Sequence, residues 1–182
     1  MSRLSIPAVV DAPAASQPLL AVVHKKLGVV PNLMKLLGQS PAALEGYLSL
    51  SGALDKGVLN AKLRETLALA VAEFNGCDYC LAAHSYIGKN LVKLTDDEIA
   101  QARDGRAADA RNDAALRFAQ RVAAERGRVL DADIATLRAA GFSDAETVEI
   151  VLHVALNVLT NYVNNVAHTD VDFPRRSAHT HA

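Results

Sequence analysis

The chain has 182 residues, a mass of 19.3 kDa, 51% hydrophobic residues and a formal net charge of −1. A chain of this length and hydrophobic content builds one substantial core, which excludes disorder of the whole chain. Its longest basic runs are the pairs Lys25-Lys26 and Arg175-Arg176, so it offers no electrostatic surface for nucleic acid or an anionic membrane.

The N-terminal segment and the apolar runs carry no targeting or membrane-spanning signal. Pro7, Pro13 and Pro18 interrupt the N-terminus, and runs such as 67–72 are far too short to cross a bilayer. We therefore expect a cytoplasmic protein without membrane association. In that reducing compartment, two cysteines spaced C-x-x-C are more often catalytic or metal-binding than a permanent disulfide.

The hydrophobic pattern changes along the chain from irregular to helical. Residues 1–18 contain Pro and Ala without periodicity and predict an extended N-terminal arm, whereas residues 19–174 follow the 3.6-residue period of amphipathic helices. No segment alternates with the period of a strand. We predict an all-α fold of roughly eight helices in a single domain, followed by a flexible tail at 175–182.

Three local signals mark helix ends near the middle and the end of the chain. Thr95 with Glu98, and Ser143 with Glu146, form the pattern of a capping box at a helix start. The pair Asn75-Gly76 predicts a helix stop, because both residue types tolerate the left-handed conformation. A new helix is therefore expected to begin at or near the next residue, a cysteine.

Cys77, Cys80 and His84 form the chemically most informative group in the sequence. At positions i, i+3 and i+7 of a helix they project within an arc of about 60°. Amide donors at the helix start favour a thiolate at Cys77, and a nearby imidazolium favours one at Cys80. Local chemistry alone does not decide which thiol attacks.

Four interpretations of the cysteine pair compete. If the cysteines were only two small buried hydrophobic residues, His84 would lie on the same helix face by chance. A zinc site could combine Cys77, Cys80, His84 and a carboxylate, but structural zinc sites usually have a second ligand pair further along the chain, and none is present. A stable disulfide is unexpected in a reducing compartment. A redox-active dithiol is the leading interpretation, and no metal or other cofactor is predicted.

Two acidic residues precede the cysteines and are candidates for a proton-transferring group. Glu73 lies four residues before Cys77, and the predicted helix break separates the two. Glu65 lies inside an otherwise apolar helix, next to Arg64. The residues alone favour neither carboxylate.

The segment with Glu65, Cys77, Cys80 and His84 resembles the AhpD-like alkylhydroperoxidase branch of the carboxymuconolactone decarboxylase family. In that pattern a Glu is followed twelve residues later by C-x-x-C-x-x-x-H. The flanks GVVPNLMKLL and HVALNVLTNYVNNVAHTDVDFP are similar to the subgroup called peroxidase-related proteins. The resemblance extends over residues 28–174.

The resemblance implies a helical fold, homo-oligomers and thiol-dependent reduction of hydroperoxides. Cys80 would be the attacking thiolate, and Cys77 would resolve its sulfenic acid to a Cys77–Cys80 disulfide. His84 would accept the Cys80 proton with Glu65 as its relay partner, which selects Cys80 and Glu65 from the alternatives above. An external dithiol, dihydrolipoamide- or thioredoxin-like, would regenerate the thiols.

One residue departs from the family pattern, and one helix carries unassigned polar residues. The characterised AhpD pattern has a second histidine just before the second cysteine, where this chain has Tyr79, which cannot act as a base near neutral pH. Tyr79 predicts a weaker or simpler relay, or a packing role. A polar stripe on the last helix predicts interhelical hydrogen bonds or a subunit interface; its members are His153, Asn157, Asn161, Asn164 and Asn165.

Two other functions are consistent with the same residues. A decarboxylase-type enzyme would use His84 and Glu65 with the thiols as bystanders, although the decarboxylase branch lacks this cysteine pair. A non-enzymatic redox sensor would form the disulfide and change its assembly without turnover. Three further histidines, His168, His179 and His181, are interpreted as tail residues without a metal.

Overall fold

The computed structural model describes residues 2–179, which form nine α-helices and no strand. This confirms the all-α, single-domain prediction, with nine helices in the described residues where roughly eight were predicted. Residues 180–182 of the predicted tail, which include His181, lie outside the described part of the chain. The helices are α1 Gln17–Leu27, α2 Asn32–Leu37, α3 Pro41–Leu54, α4 Ala61–Phe74, α5 Asp78–Asn90, α6 Asp96–Arg103, α7 Ala110–Ala124, α8 Asp131–Ala139 and α9 Asp144–Ala167.

Both predicted capping boxes are present. The Thr95 hydroxyl accepts from the Glu98 amide at 3.1 Å, and the Glu98 carboxylate accepts from the Thr95 amide at 2.7 Å. Ser143 and Glu146 form the same pair of bonds at the start of α9. Each box satisfies amide groups that the first turn of a helix leaves without partners, which fixes where α6 and α9 begin.

Helix α4 forms the centre of the fold. It packs against α5, α6, α7 and α9, and residues 67–72 of it are buried. Alternating Leu, Ala and Val side chains let neighbouring helices approach closely, since Ala adds little bulk. The neighbouring helix α5 carries the predicted cysteines and His84.

The terminal segments lie against the helical core. The Arg3 amide donates to the carbonyl of Ala167 at the end of α9, at 2.6 Å. On the C-terminal side, the Arg103 guanidinium donates to the Ser177 carbonyl and the Ala178 amide donates to Asp78 on α5. Helix α1 begins at Gln17, one residue before the predicted end of the arm at residue 18. The flexibility of the tail stays a prediction.

No helix among residues 2–179 is long and apolar enough to cross a membrane.

Candidate active site

The break between α4 and α5 lies where Asn75-Gly76 predicted it. Gly76 has a φ of 61°, in the left-handed region that a side chain disfavours. Helix α9 holds this break: the Asn75 side chain donates to Asn161 at 2.9 Å, and Asn165 donates to the Asn75 carbonyl at 2.9 Å. The turn that precedes the first cysteine is therefore anchored by two bonds from another helix.

Cys77 and Cys80 lie at the start of α5. Cys77 is the N-cap residue, and its sulfur accepts a hydrogen bond from the Cys80 amide at 3.3 Å. The structure joins the two residues in a disulfide, with Cα atoms 5.3 Å apart. Both are buried, Cys77 fully and Cys80 with 3% of its surface exposed. A C-x-x-C pair at a helix N-terminus places amide donors beside the sulfurs, which favours thiolate in the reduced state.

His84 and Glu65 form a pair across α4 and α5. His84 Nδ1 and Glu65 Oε2 are 2.9 Å apart, with side chains 23% and 18% exposed. No hydrogen bond joins His84 to Cys80 among the described residues.

Glu73 has different partners from Glu65. Its carboxylate forms a buried ion pair with Arg103 of α6 at 2.7 Å and accepts from the His179 amide at 2.5 Å. Both of its oxygens are thus engaged away from the cysteines. Of the two carboxylates that the residues alone left equal, only Glu65 is hydrogen-bonded to His84.

Tyr79 has a packing role in the structure. Its hydroxyl accepts from the Leu33 amide at 3.1 Å and donates to Asp172 at 2.8 Å, and its ring meets the edge of Phe173. Burial raises the pKa of Tyr79 well above its ordinary value, with Asp172 adding to the shift. Tyr79 therefore ties α5 to α2 and to the C-terminal segment and is unsuited to proton transfer.

Asn164 is a site residue that sequence reasoning did not assign. Its side-chain Nδ2 lies 3.3 Å from Cys80 Sγ, and only 2% of the residue is exposed. The polar stripe on the last helix was the available signal, and its interpretation as interhelical hydrogen bonds is confirmed at Asn161, Asn164 and Asn165. The sequence does not reveal how α9 is aligned against α5, so it could not link Asn164 to the sulfur.

His153 belongs to the same stripe but points elsewhere. The side chain is buried, and its Nε2 has no partner within the described residues. Burial lowers the pKa of His153, and the charge of Arg64 adds to the effect. At His153 the interhelical hydrogen bond predicted for the polar stripe is therefore not formed through Nε2 within the described residues.

No metal centre is formed by the part of the chain that the structure describes. Within residues 2–179 no three His, Cys, Asp or Glu side chains come close enough to hold an ion. The candidate zinc ligands are otherwise engaged, since the two cysteines are joined and His84 is bonded to Glu65.

Parts of the sequence match a protein family and a known protein. Residues 41–125 match the model of the carboxymuconolactone decarboxylase family. A 48-residue stretch is 46% identical to an uncharacterized protein of Haemophilus influenzae and spans 42% of that relative's length.

Solved structures resemble the chain over most of its length. A peroxidase-related protein with an alkylhydroperoxidase AhpD core from Ralstonia eutropha JMP134 is 27% identical, with a TM-score of 0.84 over 94% of this chain and 92% of that one. A peroxidase-related protein from Silicibacter sp. TM1040 is 25% identical, with a TM-score of 0.81 over 93% and 91%. The debrominase Bmp8, 19% identical with a TM-score of 0.75 over 94% and 91%, shares the fold. The family model over residues 41–125 and the likeness to these structures support the AhpD-like carboxymuconolactone decarboxylase family for this chain.

Proposed function

We propose that this protein is a thiol-dependent peroxidase that reduces hydroperoxides through Cys80 and Cys77. The observation that carries the proposal is the C-x-x-C pair itself: the two cysteines lie at a helix N-terminus, within disulfide distance, on the helix whose His84 pairs with Glu65. A buried pair without reactive surroundings would be structural. Here the helix start and the imidazole–carboxylate pair provide the surroundings that thiol chemistry requires.

The proposed reaction has two steps on the protein. The Cys80 thiolate attacks the terminal oxygen of the hydroperoxide, so that an S–O bond forms and the O–O bond breaks; Cys80 becomes a sulfenic acid, and the alkoxide leaves as an alcohol after taking a proton. The Cys77 thiol then attacks the sulfenic sulfur, forming the S–S bond and releasing water. One hydroperoxide and two thiols thus give one alcohol, one water and one disulfide.

His84 and Glu65 move the proton in this scheme. His84 takes the proton of the Cys80 thiol, and Glu65 orients the ring by holding Nδ1 at 2.9 Å. In this scheme the proton passes from the reduced Cys80 thiol to His84 either directly or through a water. The proton then becomes available to the leaving alkoxide.

An external dithiol completes the cycle by exchange with the Cys77–Cys80 disulfide. One of its thiolates attacks a protein sulfur, which releases one protein thiolate and gives a mixed disulfide. Its second thiol then attacks the mixed disulfide and releases the other protein thiol. Dihydrolipoamide and a thioredoxin-like protein are the two classes of reductant to test. Since both cysteines are buried, the reductant acts on a locally opened site.

Homo-oligomerisation is part of the proposal and is supported by an apolar surface on α9. Large hydrophobic side chains recur at intervals of three, four and seven residues along the exposed face of this helix, as at the contact seam of paired helices. This row consists of Val148, Leu152, Leu159, Tyr162 and Val166, and Val151 is exposed beside it. Sedimentation velocity should give a mass above that of one chain.

A steady-state assay tests the enzymatic proposal. Purified protein supplied with dihydrolipoamide and cumene hydroperoxide should consume the peroxide, and Cys80→Ser should abolish turnover. Cys77→Ser should block cycling through the intramolecular disulfide. An unchanged rate in Cys80→Ser would overturn the proposal.

Two outcomes of the same set of variants identify the rival functions. Turnover of a β-keto or lactone acid that survives Cys77→Ala and Cys80→Ala would indicate a decarboxylase-type enzyme. Disulfide formation that changes the assembly state without any turnover would indicate a redox sensor.

A further inference from the structure

The sulfur of Cys80 has one polar side-chain partner that the proposed proton relay does not use. Asn164 Nδ2 of α9 lies 3.3 Å from this sulfur, and both residues are buried. A disulfide sulfur carries no proton, so only the N–H side of the amide can bond to it. The orientation of the Asn164 side chain is therefore dictated by the sulfur.

We infer that Asn164 is a further catalytic residue, whose amide donates a hydrogen bond that stabilises the Cys80 thiolate and the charge that develops on this sulfur. A donor to an ionised acceptor forms a stronger bond than one to a neutral acceptor, so the same contact strengthens when the disulfide is reduced to a thiolate. This role rests on the proposed function, because it matters for turnover only where Cys80 is the attacking thiol.

The Asn164 bond distinguishes the two sulfurs. Cys77, as the N-cap of α5, accepts from the Cys80 amide at 3.3 Å, so helix geometry alone favours a thiolate at Cys77. The bond from Asn164 gives Cys80 a donor of its own from a different helix. Asn164 thereby offsets the advantage that the helix start gives to Cys77.

The side-chain carbonyl oxygen of Asn164 supports a functional rather than a packing role for this residue. Asn164 Oδ1 is buried and has no hydrogen-bond partner among the described residues. A buried carbonyl oxygen without a partner costs free energy, and an apolar side chain of the same shape would avoid that cost. Stability alone therefore does not explain an asparagine here.

Asn164 also forms part of the wall between Cys80 and a surface cavity. The cavity has a volume of about 350 Å³ and is lined by Asn164, Tyr79, Thr169 and Val171 among others, but not by Cys80. A substitution that shortens Asn164 would open this wall as well as remove the donor. The test must separate these two effects.

The experiment measures the rate of Cys80 alkylation by iodoacetamide against pH, with Cys77→Ser as the parent so that one thiol reports. The midpoint of the profile reports thiolate stability, and its high-pH plateau reports access to the sulfur. Asn164→Leu, which keeps the branched shape and the wall, should raise the midpoint by about one pH unit or more. Asn164→Ala should raise the midpoint similarly, and any change in access appears separately in its plateau.

Asn157→Ala is the matched control. Asn157 lies two turns earlier on the same buried face of α9, but its amide donates to the His153 carbonyl rather than to a sulfur. Its midpoint should equal that of the parent. A midpoint unchanged in Asn164→Leu and Asn164→Ala, or shifted equally in Asn157→Ala, would overturn the inference. Because alkylation needs no peroxide, failure of the peroxidase proposal would leave this result readable on its own.

Discussion

Glu65 and Glu73 lie on the same helix, two turns apart, and the structure places them in opposite kinds of surroundings. Glu65 is partly exposed and bonded to the His84 imidazole, the side chain that most often serves as a general acid or base. Glu73 is buried and paired with the Arg103 guanidinium, which keeps its proton. One end of α4 therefore offers a pair suited to proton transfer, and the other end a fixed ion pair.

The difference shows that the partner decides the role of a carboxylate more than the position along the helix does. The Glu73 pair connects α4 to α6, and its second oxygen accepts from the backbone of His179. The Glu65 pair connects α4 to the helix with the cysteines. Substitutions at the two ends should therefore separate stability from chemistry.

Glu73→Gln should have the largest effect on stability. It leaves the Arg103 guanidinium, whose side chain is only 12% exposed, without its counter-charge, at a cost of about 3 kcal/mol in the free energy of unfolding. Urea unfolding measures this loss. Replacing both partners, as in Glu73→Gln with Arg103→Met, should recover most of it. A stable Glu73→Gln protein with impaired peroxide reduction would break the comparison.

Glu65→Gln should have the converse effect. Peroxide turnover should fall by about 100-fold, the usual range for loss of a general acid–base partner, while the free energy of unfolding changes by less than about 1 kcal/mol. His84→Asn should give a similar loss, and the double variant little more, because the two residues act as a unit. Independent, additive losses in the double variant would contradict a shared relay.

Tyr79→Phe extends the comparison to the residue just before the second cysteine. The change leaves the buried Leu33 amide without its acceptor and removes the bond to Asp172, so the protein should lose about 1–2 kcal/mol in the free energy of unfolding. Turnover measured under folding conditions should stay near that of the parent. A large loss of turnover in a stable protein would assign Tyr79 to the chemistry.

His153→Gln tests a histidine without a carboxylate partner and should have the smallest effect. Because burial lowers the pKa of His153 below its ordinary 6.5, the folded state binds this proton less readily than the unfolded state. The resulting stability is present above pH 6.5 and is lost as the pH falls below it. The unfolding free energy of the variant should therefore decrease less between pH 7 and pH 5. An identical pH dependence in both proteins would contradict this assignment.

The parts of the molecule that sequence reasoning predicted are those set by local chemistry. The capping boxes, the break at Gly76 and the cysteine pair at the start of a helix each depend on neighbours within a few residues. The family resemblance selected Glu65, and the structure places it beside His84. The Asn164 contact and the Arg103 partner of Glu73 could not be predicted, because each depends on how two distant helices are aligned.

The central claim is that a hydroperoxide oxidises Cys80 and Cys77 to a disulfide, and counting free thiols tests it most directly. The fully reduced protein, treated with one equivalent of cumene hydroperoxide and then assayed under denaturing conditions, should lose both thiols, while Cys80→Ser should keep its Cys77 thiol. Two free thiols remaining in the parent, or an equally rapid loss of the thiol in Cys80→Ser, would contradict the account.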